Sequence, residues 1–278
     1  MAYVPGDRPD DAPAAGSPAG LTAELTAALS ALARQRSLLI ALDFDGTLAP
    51  FVDVPGQARA TPRAKAAIAR LRALPHTAVA YVSGRPVASL ATVTEAGDDE
   101  LLIGSHGVEV RLGGGSTELE LEPGERRLLA ALDADLERLV AEHPGAHLER
   151  KPAGFGVHTR LLEHDDAARL QAAAVAAAEA LGSEITVRGG KDVVEFAVRG
   201  ATKGDGVRRL REHLGASAVL FAGDDVTDED GFRALTDGDV GVKVGDGATA
   251  AQYRVAHPDA LADVLGLLAD ARAAANLQ

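Results

Sequence analysis

Apolar residues form short, nearly continuous runs in the first and last thirds of the chain, and amphipathic stretches separate these runs. The runs predict β-strands at residues 37–42, 77–82, 101–103, 216–222 and 240–244. One intervening stretch opens with Thr61 and Pro62, a capping residue and a first-turn proline, which indicates a helix start. Apolar strands that alternate with helices are typical of a parallel sheet covered on both faces. We therefore predict an α/β fold with a Rossmann-like, doubly wound parallel sheet.

The middle of the chain has a different pattern, in which polar and apolar residues alternate. This alternation predicts half-buried strands at residues 118–121, 156–161 and 184–187, with two amphipathic helices between them. Such elements predict a smaller α+β domain at 113–199, inserted into a core formed by 21–112 and 200–278. The glycines at 113–115 can serve as a pivot for this insert or can simply form a hairpin turn.

Length, composition and charge narrow the possible functions. With 278 residues, of which 46% are hydrophobic, the chain is long enough for two domains with apolar cores. A formal net charge of −13 argues against nucleic acid as a partner, because binding its phosphate backbone requires clustered Lys and Arg. The absence of cysteine excludes disulfides, thiolate nucleophiles and cysteine-ligated zinc.

The sequence contains no apolar run of the roughly 20 residues that cross a bilayer. We therefore expect no membrane partner and a soluble, most simply cytoplasmic, protein. Residues 1–20 are rich in Pro, Gly, Ala and Asp and lack the apolar core of a signal peptide, which indicates a disordered tail.

Polar groups follow three of the predicted core strands. Asp43 and Asp45 come after the first strand, Ser83 after the second, and Asp224 and Asp225 after a later one. The carboxyl ends of parallel strands share one edge of a sheet, so we expect these groups to converge on one crevice. Each motif alone can be an ordinary turn. Clustered acids, however, reduce stability unless a cation or a reaction requires them, so their joint occurrence indicates a functional site.

This order of motifs resembles the haloacid dehalogenase-like phosphatases, whose pattern is Asp-x-Asp-Gly-Thr, then Ser or Thr, then Lys, then paired acids. The resemblance implies a Mg²⁺-dependent phosphatase with four catalytic residues: Asp43 as nucleophile, Asp45 as general acid and base, and Ser83 and Lys203 as phosphoryl clamps. It also implies that the metal is bound by Asp43, Asp45, Asp224 and Asp225, and that Asp228 lies in a second shell of groups around the metal or the lysine.

The residue types suit these roles on chemical grounds. A carboxylate can attack phosphorus and split hydrolysis into two easier displacements, while a second carboxyl group moves the protons. Mg²⁺ prefers oxygen ligands, and a phosphate dianion needs a cation beside the acids. Two alternatives stay open at this point. Lys203 can be a solvated side chain at a helix start. Thr227 can cap a helix, in which case Asp228 and Glu229 would stabilise the positive N-terminal end of that helix.

Charged residues in the insert are candidates for substrate recognition. Strand alternation predicts three pairs that each share a face of the sheet: Glu149 with Lys151, His158 with Arg160, and Lys191 with Glu195. Such charges can also form nothing more than the solvated side of a sheet.

The motifs that carry these charges resemble the trehalose-6-phosphate phosphatase family, over roughly residues 38–268. They include Gly104-Ser105-His106-Gly107, Glu149-Arg150-Lys151, His158-Thr159-Arg160 and the run from Gly190 to Glu195. The resemblance implies that a disaccharide is bound by Glu149, Lys151, Arg160, Lys191 and Glu195. Thr159 departs from the family's commoner tyrosine, which leaves the role of His158 open, and we interpret His106 as a structural loop residue.

The expected function is hydrolysis of trehalose 6-phosphate to trehalose and phosphate through an aspartyl-phosphate intermediate. The alternatives are a phosphatase for another sugar phosphate such as sucrose phosphate, a phosphomutase, or a sugar-phosphate sensor without turnover. The expected partners are a small sugar phosphate and, in addition, a separate trehalose-6-phosphate synthase. Sequence motifs of serine hydrolases, zinc proteases and P-loop nucleoside triphosphatases are absent.

Overall fold

The computed structural model describes residues 21–114, 116–117, 121–198 and 200–275. The predicted tail at 1–20 and most of the predicted strand at 118–121 lie outside the described residues. The described part of the chain forms two β-sheets, a larger one in the core and a smaller one in the insert.

Strands and helices alternate along most of the chain. The strands are β1 (Leu38–Leu42), β2 (Thr77–Val82), β3 (Leu101–Gly104), β4 (Glu109–Leu112), β5 (Ser116–Thr117), β6 (His147–Lys151), β7 (Gly154–His158), β8 (Thr186–Gly190), β9 (Val193–Ala197), β10 (Ala218–Gly223), β11 (Val240–Val244) and β12 (Tyr253–Val255). The α-helices are α1 (Ala23–Leu32), α2 (Pro62–Arg72), α3 (Val87–Thr94), α4 (Pro123–Ala141), α5 (His164–Leu181), α6 (Lys203–Leu214), α7 (Asp228–Arg233) and α8 (Pro258–Ala275). None of the described helices combines the length and the apolar character that a membrane span needs.

The larger sheet contains eight of the described strands, in the order β12-β11-β10-β1-β2-β3-β4-β5. β1 lies between β10 and β2, and every pairing from β12 to β3 is parallel. The predicted parallel sheet is therefore confirmed. The antiparallel edge formed by β4 and β5 is an addition that the apolar runs do not predict, because these strands are short and contain polar residues.

Helices cover both faces of this sheet, as a doubly wound fold requires. In β1, Leu38, Ile40 and Leu42 pack in a cluster with α1, α2, α3 and α8. Leu39 and Ala41 point to the opposite face and pack with α6 and α7. Burying each leucine side chain contributes about 1.5–3 kcal/mol to stability. This packing fixes the carboxyl end of β1, where the candidate site begins.

The smaller sheet is antiparallel, in the order β6-β7-β9-β8, and α4 and α5 pack on one of its faces. Leu132, Leu136 and Leu170 are buried in this apolar layer. The predicted α+β insert is confirmed, whereas its boundaries at 113 and 199 stay a prediction. β7 ends at His158, before the predicted end at 161, and β8 begins at Thr186, after the predicted start at 184.

Candidate active site

Neighbouring strands of the larger sheet bring the predicted acids together. β1 pairs with β10 on one side and with β2 on the other, so Asp43, Asp224 and Ser83 emerge at one edge of the sheet. Carboxylate oxygens of Asp43, Asp224 and Asp228 lie within 4.8 Å of one another. The predicted convergence of the first and the last acidic motifs is confirmed.

Asp43 is almost completely buried, and both of its carboxylate oxygens have polar partners. Lys203 Nζ donates to Oδ1 over 2.8 Å, and Thr47 Oγ1 lies 3.0 Å from Oδ2. The same hydroxyl lies 2.8 Å from Asp224 Oδ1. A hydroxyl has one proton and can donate it to only one carboxylate at a time. The second contact therefore requires a proton on one carboxyl group or a cation beside the two.

Asp228, at the start of α7, connects the lysine to the loop after β10. Its Oδ1 accepts a hydrogen bond from Lys203 Nζ over 2.7 Å. Its Oδ2 accepts from the backbone N–H groups of Asp224 and Asp225, over 3.1 and 2.9 Å. Asp228 therefore holds the acidic loop in place. Thr227 occupies the N-cap position, but its side chain makes no capping bond, so the interpretation of its hydroxyl as a cap is wrong.

Lys203 is the first residue of α6, and a capping box between Thr202 and Asp205 fixes this helix start. The lysine side chain is only 3% exposed and contacts both Asp43 and Asp228. Burial alone would lower the pKa of Lys203, but the charges of Asp228 and Asp43 outweigh burial and raise this pKa above its ordinary value. The alternative of a solvated lysine is therefore wrong.

Lys203 contacts two of the three carboxyl groups in the cluster, and its one positive charge does not balance all three. Burial raises the pKa of Asp224, and the nearby charge of Asp43 raises it further. Burial likewise raises the pKa of Asp228, although Lys203 opposes this shift. The site therefore favours an additional positive charge. Carboxylate oxygens at this spacing are suitable ligands for a hard cation such as Mg²⁺.

A glycine makes the close approach of Asp224 possible. Gly46 has a φ of 79°, in the left-handed region, and a Cβ atom at this position would lie 2.1 Å from Asp224 Oδ2. Any side chain there would displace the Asp224 carboxylate. The Asp-x-Asp-Gly-Thr motif therefore requires glycine at this position for a steric reason.

Two of the predicted metal ligands lie outside the carboxylate cluster. Asp45 forms a two-armed ion pair with Arg85, whose Nε and Nη2 donate to its oxygens over 2.5 and 2.6 Å. Asp225 is exposed, and its backbone N–H donates to Asp228. The catalytic role of Asp45 and the metal-binding roles of both residues stay predictions.

Ser83 is buried at the end of β2, and its Oγ accepts a hydrogen bond from the N–H of Arg85 over 3.1 Å. Sequence reasoning assigns no role to the side chains of Thr47, Arg85 or Lys243. Lys243, buried in β11, donates to the backbone carbonyl of Asp224. A lone lysine inside an apolar strand is the signal that could have identified it. Arg85 has no comparable signal apart from its place two residues after Ser83.

The face of the smaller sheet opposite α4 and α5 carries a row of charged side chains. Lys151 forms ion pairs with Glu195 on β9 and, at 3.9 Å, with Glu149 on its own strand. His158 Nε2 lies 3.0 Å from a Glu149 oxygen. Burial tends to raise the pKa of Glu195, but a hydrogen bond from His106 and the charge of Lys151 outweigh burial and lower this pKa to about 2. The predicted shared face of Glu149 and Lys151 is confirmed.

Two other predicted pairs do not share a strand face. Arg160 follows the end of β7, where it forms an exposed ion pair with Asp53 of a core loop at 2.9 Å. Lys191 is exposed in the turn between β8 and β9, so strand alternation does not relate it to Glu195. The face predictions for Arg160 and Lys191 are wrong because the strands are shorter than the alternation suggests. Their roles in substrate binding stay predictions.

Comparisons with known proteins agree with this geometry. The sequence profile of a family described as Trehalose-phosphatase matches residues 41–259, a range that includes every predicted site residue. The chain is 32% identical over 219 residues to the trehalose-6-phosphate phosphatase of Escherichia coli strain K12, which covers 77% of this chain and 80% of that protein. A crystal structure of a trehalose-6-phosphate phosphatase related protein matches with a TM-score of 0.68 at 28% identity, covering 84% of this chain and 97% of that one.

A longer relative shows the same similarity over part of its length. The chain is 32% identical over 243 residues to the bifunctional trehalose-6-phosphate synthase/phosphatase of Thermoproteus tenax, which covers 81% of this chain. The chain spans 31% of the length of that relative. The similarity is therefore confined to one portion of the bifunctional protein.

Proposed function

Because the chain belongs to the trehalose-phosphatase family, we propose that it is a phosphoric monoester hydrolase that converts trehalose 6-phosphate to trehalose and phosphate. The observation that carries this proposal is the placement of Asp43. Its carboxylate is buried at the end of a central strand and is held between Lys203 and Thr47. A carboxylate fixed in this way, beside further acids that favour a cation, suits nucleophilic attack on a phosphate ester.

In the first step, an oxygen of Asp43 attacks phosphorus, so that a P–O bond to Asp43 forms and the bond from phosphorus to the sugar oxygen breaks. Lys203 and Thr47 restrict the orientation of the carboxylate, so little conformational freedom is lost during attack. Asp45 donates a proton to the departing sugar oxygen. Asp45 is ion-paired with Arg85 in the structure, so protonation of Asp45 before this step would remove the ionic part of that pair.

In the second step, water attacks the phosphorus of the aspartyl phosphate while Asp45 accepts a proton from that water. The P–O bond to Asp43 breaks, phosphate leaves, and the carboxylate is restored. Ser83 accepts its hydrogen bond from a backbone N–H, so its own hydroxyl proton is available for a phosphoryl oxygen. The ammonium group of Lys203 supplies a second donor to the same group.

Mg²⁺ is the proposed cofactor. We assign it to Asp43 and Asp224 of the cluster, together with Asp45 and Asp225 from the same two loops. When bound, it neutralises charge on the phosphoryl group and orients that group for attack. Asp228 acts indirectly, because it bonds Lys203 and the backbone of the acidic loop.

The sugar is proposed to bind along the charged face of the insert, at Glu149, Lys151 and Glu195. Arg160 and Lys191, which lie beyond the ends of the strands, are proposed to complete this binding site. Carboxylates accept hydrogen bonds from sugar hydroxyls, whereas Lys and Arg donate to hydroxyls or phosphate. A mixed row of this kind suits a phosphorylated sugar better than an apolar ligand.

Phosphate release from a panel of sugar phosphates tests this proposal. With Mg²⁺ present, we expect kcat/KM for trehalose 6-phosphate to exceed that for sucrose 6-phosphate or glucose 6-phosphate by about tenfold or more. Chelation by EDTA should abolish release. A preference for another sugar phosphate would replace the substrate assignment, whereas tight binding without release would favour a sensor.

The substitution Glu195→Gln tests whether the charged row selects the sugar. Hydrogen bonds to a charged group contribute about 1.5–3 kcal/mol, so we expect kcat/KM for trehalose 6-phosphate to fall about 10- to 100-fold further than that for p-nitrophenyl phosphate. Glu184→Gln, at an exposed position before β8, is the matched control and should leave the ratio of the two substrates unchanged. Equal losses on both substrates would remove Glu195 from sugar recognition.

We also propose a functional link to a separate trehalose-6-phosphate synthase, which would produce the substrate. The name of the Thermoproteus tenax relative joins the two activities in one protein, which supports this link. The expected cytoplasmic location likewise stays a prediction.

A further inference from the structure

One histidine of the core reaches the charged row of the insert. His106 lies in the short 3₁₀ turn Ser105–Gly107 after β3, and its Nε2 is 2.8 Å from Glu195 Oε2 on β9. The histidine side chain is 14% exposed. The other oxygen of Glu195 forms the ion pair with Lys151. The orientation of this carboxylate is therefore set from the core by His106 and from the insert by Lys151.

The backbone and ring of His106 are also fixed against the loop that carries Ser83. The N–H of His106 donates to the Ser83 carbonyl over 3.0 Å. Its ring lies on Gly84, where an added Cβ atom would be 2.5 Å from the ring carbon Cε1. The imidazole thus occupies the space between the proposed phosphoryl-binding loop and the proposed sugar-binding face.

The hydrogen bond between His106 and Glu195 has a defined direction. Burial lowers the pKa of His106, and its contact with Glu195 offsets this only in part, so the imidazole is neutral near pH 7. A charged carboxylate can only accept a hydrogen bond, so the proton of the neutral ring must be on Nε2. Nδ1 is then an acceptor, and it is buried without a partner among the described residues.

From these contacts we infer that His106 is a positioning residue for sugar recognition: by donating from Nε2, it holds the Glu195 carboxylate at a fixed place relative to Ser83. This inference rests on the proposed function, because it assumes that Ser83 binds the phosphoryl group and Glu195 binds the sugar. The fixed spacing would select esters whose sugar hydroxyls lie at the matching distance from the phosphate. A purely structural loop histidine would have no effect on that selection.

Asparagine and glutamine at position 106 separate the two roles. The side-chain amide of Gln can place a donor near the position of His Nε2, whereas that of Asn reaches only to the position of Nδ1. Residue 106 has a φ of 59°, a left-handed conformation that Asn adopts more readily than Gln. If the role of His106 is only to adopt the left-handed backbone conformation, H106Q should lose more activity than H106N. If its role is to donate a hydrogen bond from Nε2, H106N should lose more.

We expect H106N to lower kcat/KM for trehalose 6-phosphate, relative to p-nitrophenyl phosphate, by about 10-fold or more, because a hydrogen bond to a charged group is lost. H106Q should retain this ratio within about threefold, a difference smaller than one such bond. Thermal unfolding of both variants shows whether each is folded at the assay temperature. A ratio that is unchanged in H106N, or a larger loss in H106Q than in H106N, would overturn the inference.

A spectroscopic readout keeps this test separate from the test of the proposed function. In the ¹⁵N NMR spectrum of histidine-labelled protein, the His106 signals, assigned by their absence from H106Q, should show a neutral ring with its proton on Nε2. A proton on Nδ1 would overturn the inference whatever the substrate. A wild-type protein with this tautomer that does not prefer trehalose 6-phosphate would instead overturn the proposed function.

Discussion

Replacing Asp43 with asparagine is expected to reduce phosphate release by roughly 10⁴-fold or more, because an amide oxygen is a poor nucleophile toward phosphorus. The fold should be retained. Asparagine has nearly the same shape, its oxygen can still accept from Lys203, and one charge is removed from a cluster of three carboxyl groups. Stopped phosphate-release assays and thermal unfolding of the same preparation measure both effects.

Asp98→Asn is the matched control for this substitution, because Asp98 is exposed in the loop before β3 and lies outside the carboxylate cluster. Its rate and its unfolding temperature should equal those of the wild type. Turnover of Asp43→Asn within about tenfold of the wild-type rate would exclude Asp43 as the nucleophile, since loss of a covalent nucleophile costs several orders of magnitude.

Lys203→Met is expected to have the largest effect on stability. Its ammonium group is the cation that contacts both Asp43 and Asp228 in the buried cluster, and removing one partner of a buried ion pair destabilises a protein by about 3–5 kcal/mol. Phosphate release should also be lost, because Lys203 positions the nucleophile and is proposed to bind the phosphoryl group. Urea-induced unfolding followed by circular dichroism measures the free energy of unfolding.

Two further variants show whether the loss of stability comes from removing a buried charge or from replacing any lysine. Lys65→Met removes an exposed ion pair with Glu95, at 2.8 Å, and should change the free energy of unfolding by about 0–1 kcal/mol. Adding Asp228→Asn to Lys203→Met removes one uncompensated carboxylate and should restore part of the lost stability without restoring activity. A Lys203→Met protein as stable as the wild type would contradict the buried-charge argument.

The parts of the fold that follow from local patterns could be predicted from the sequence. The apolar run after Ser37 becomes β1, and Thr61 accepts the capping bond of the helix that begins at Pro62. The acidic motifs could be placed at one edge because parallel strands align their carboxyl ends. Strand alternation gave a wrong face for Lys191, because β8 ends at Gly190 and Lys191 lies in the hairpin turn before β9.

Contacts between distant segments could not be predicted in this way. His106 and Glu195 are 89 positions apart, and Asp45 and Arg85 are 40 positions apart. Periodicity shows which face of an element is buried but does not show which loops meet. The burial of Lys203 could not be predicted for the same reason, because it depends on contacts with segments that are distant in sequence. A lysine that opens a helix is usually solvated, and here the edge of the sheet and α7 enclose it.

The close contact between Gly46 and Asp224 bears on how the proposed activity could be lost during evolution. Replacing the glycine with even an alanine would push aside an oxygen of Asp224 and leave every reacting group in the sequence. A protein with that single change would still contain the nucleophile, the acid, the lysine and the acidic pair, yet its carboxylate cluster would be distorted. Position 46 should therefore be inspected together with the residues that perform the chemistry when activity is assigned to a member of such a lineage.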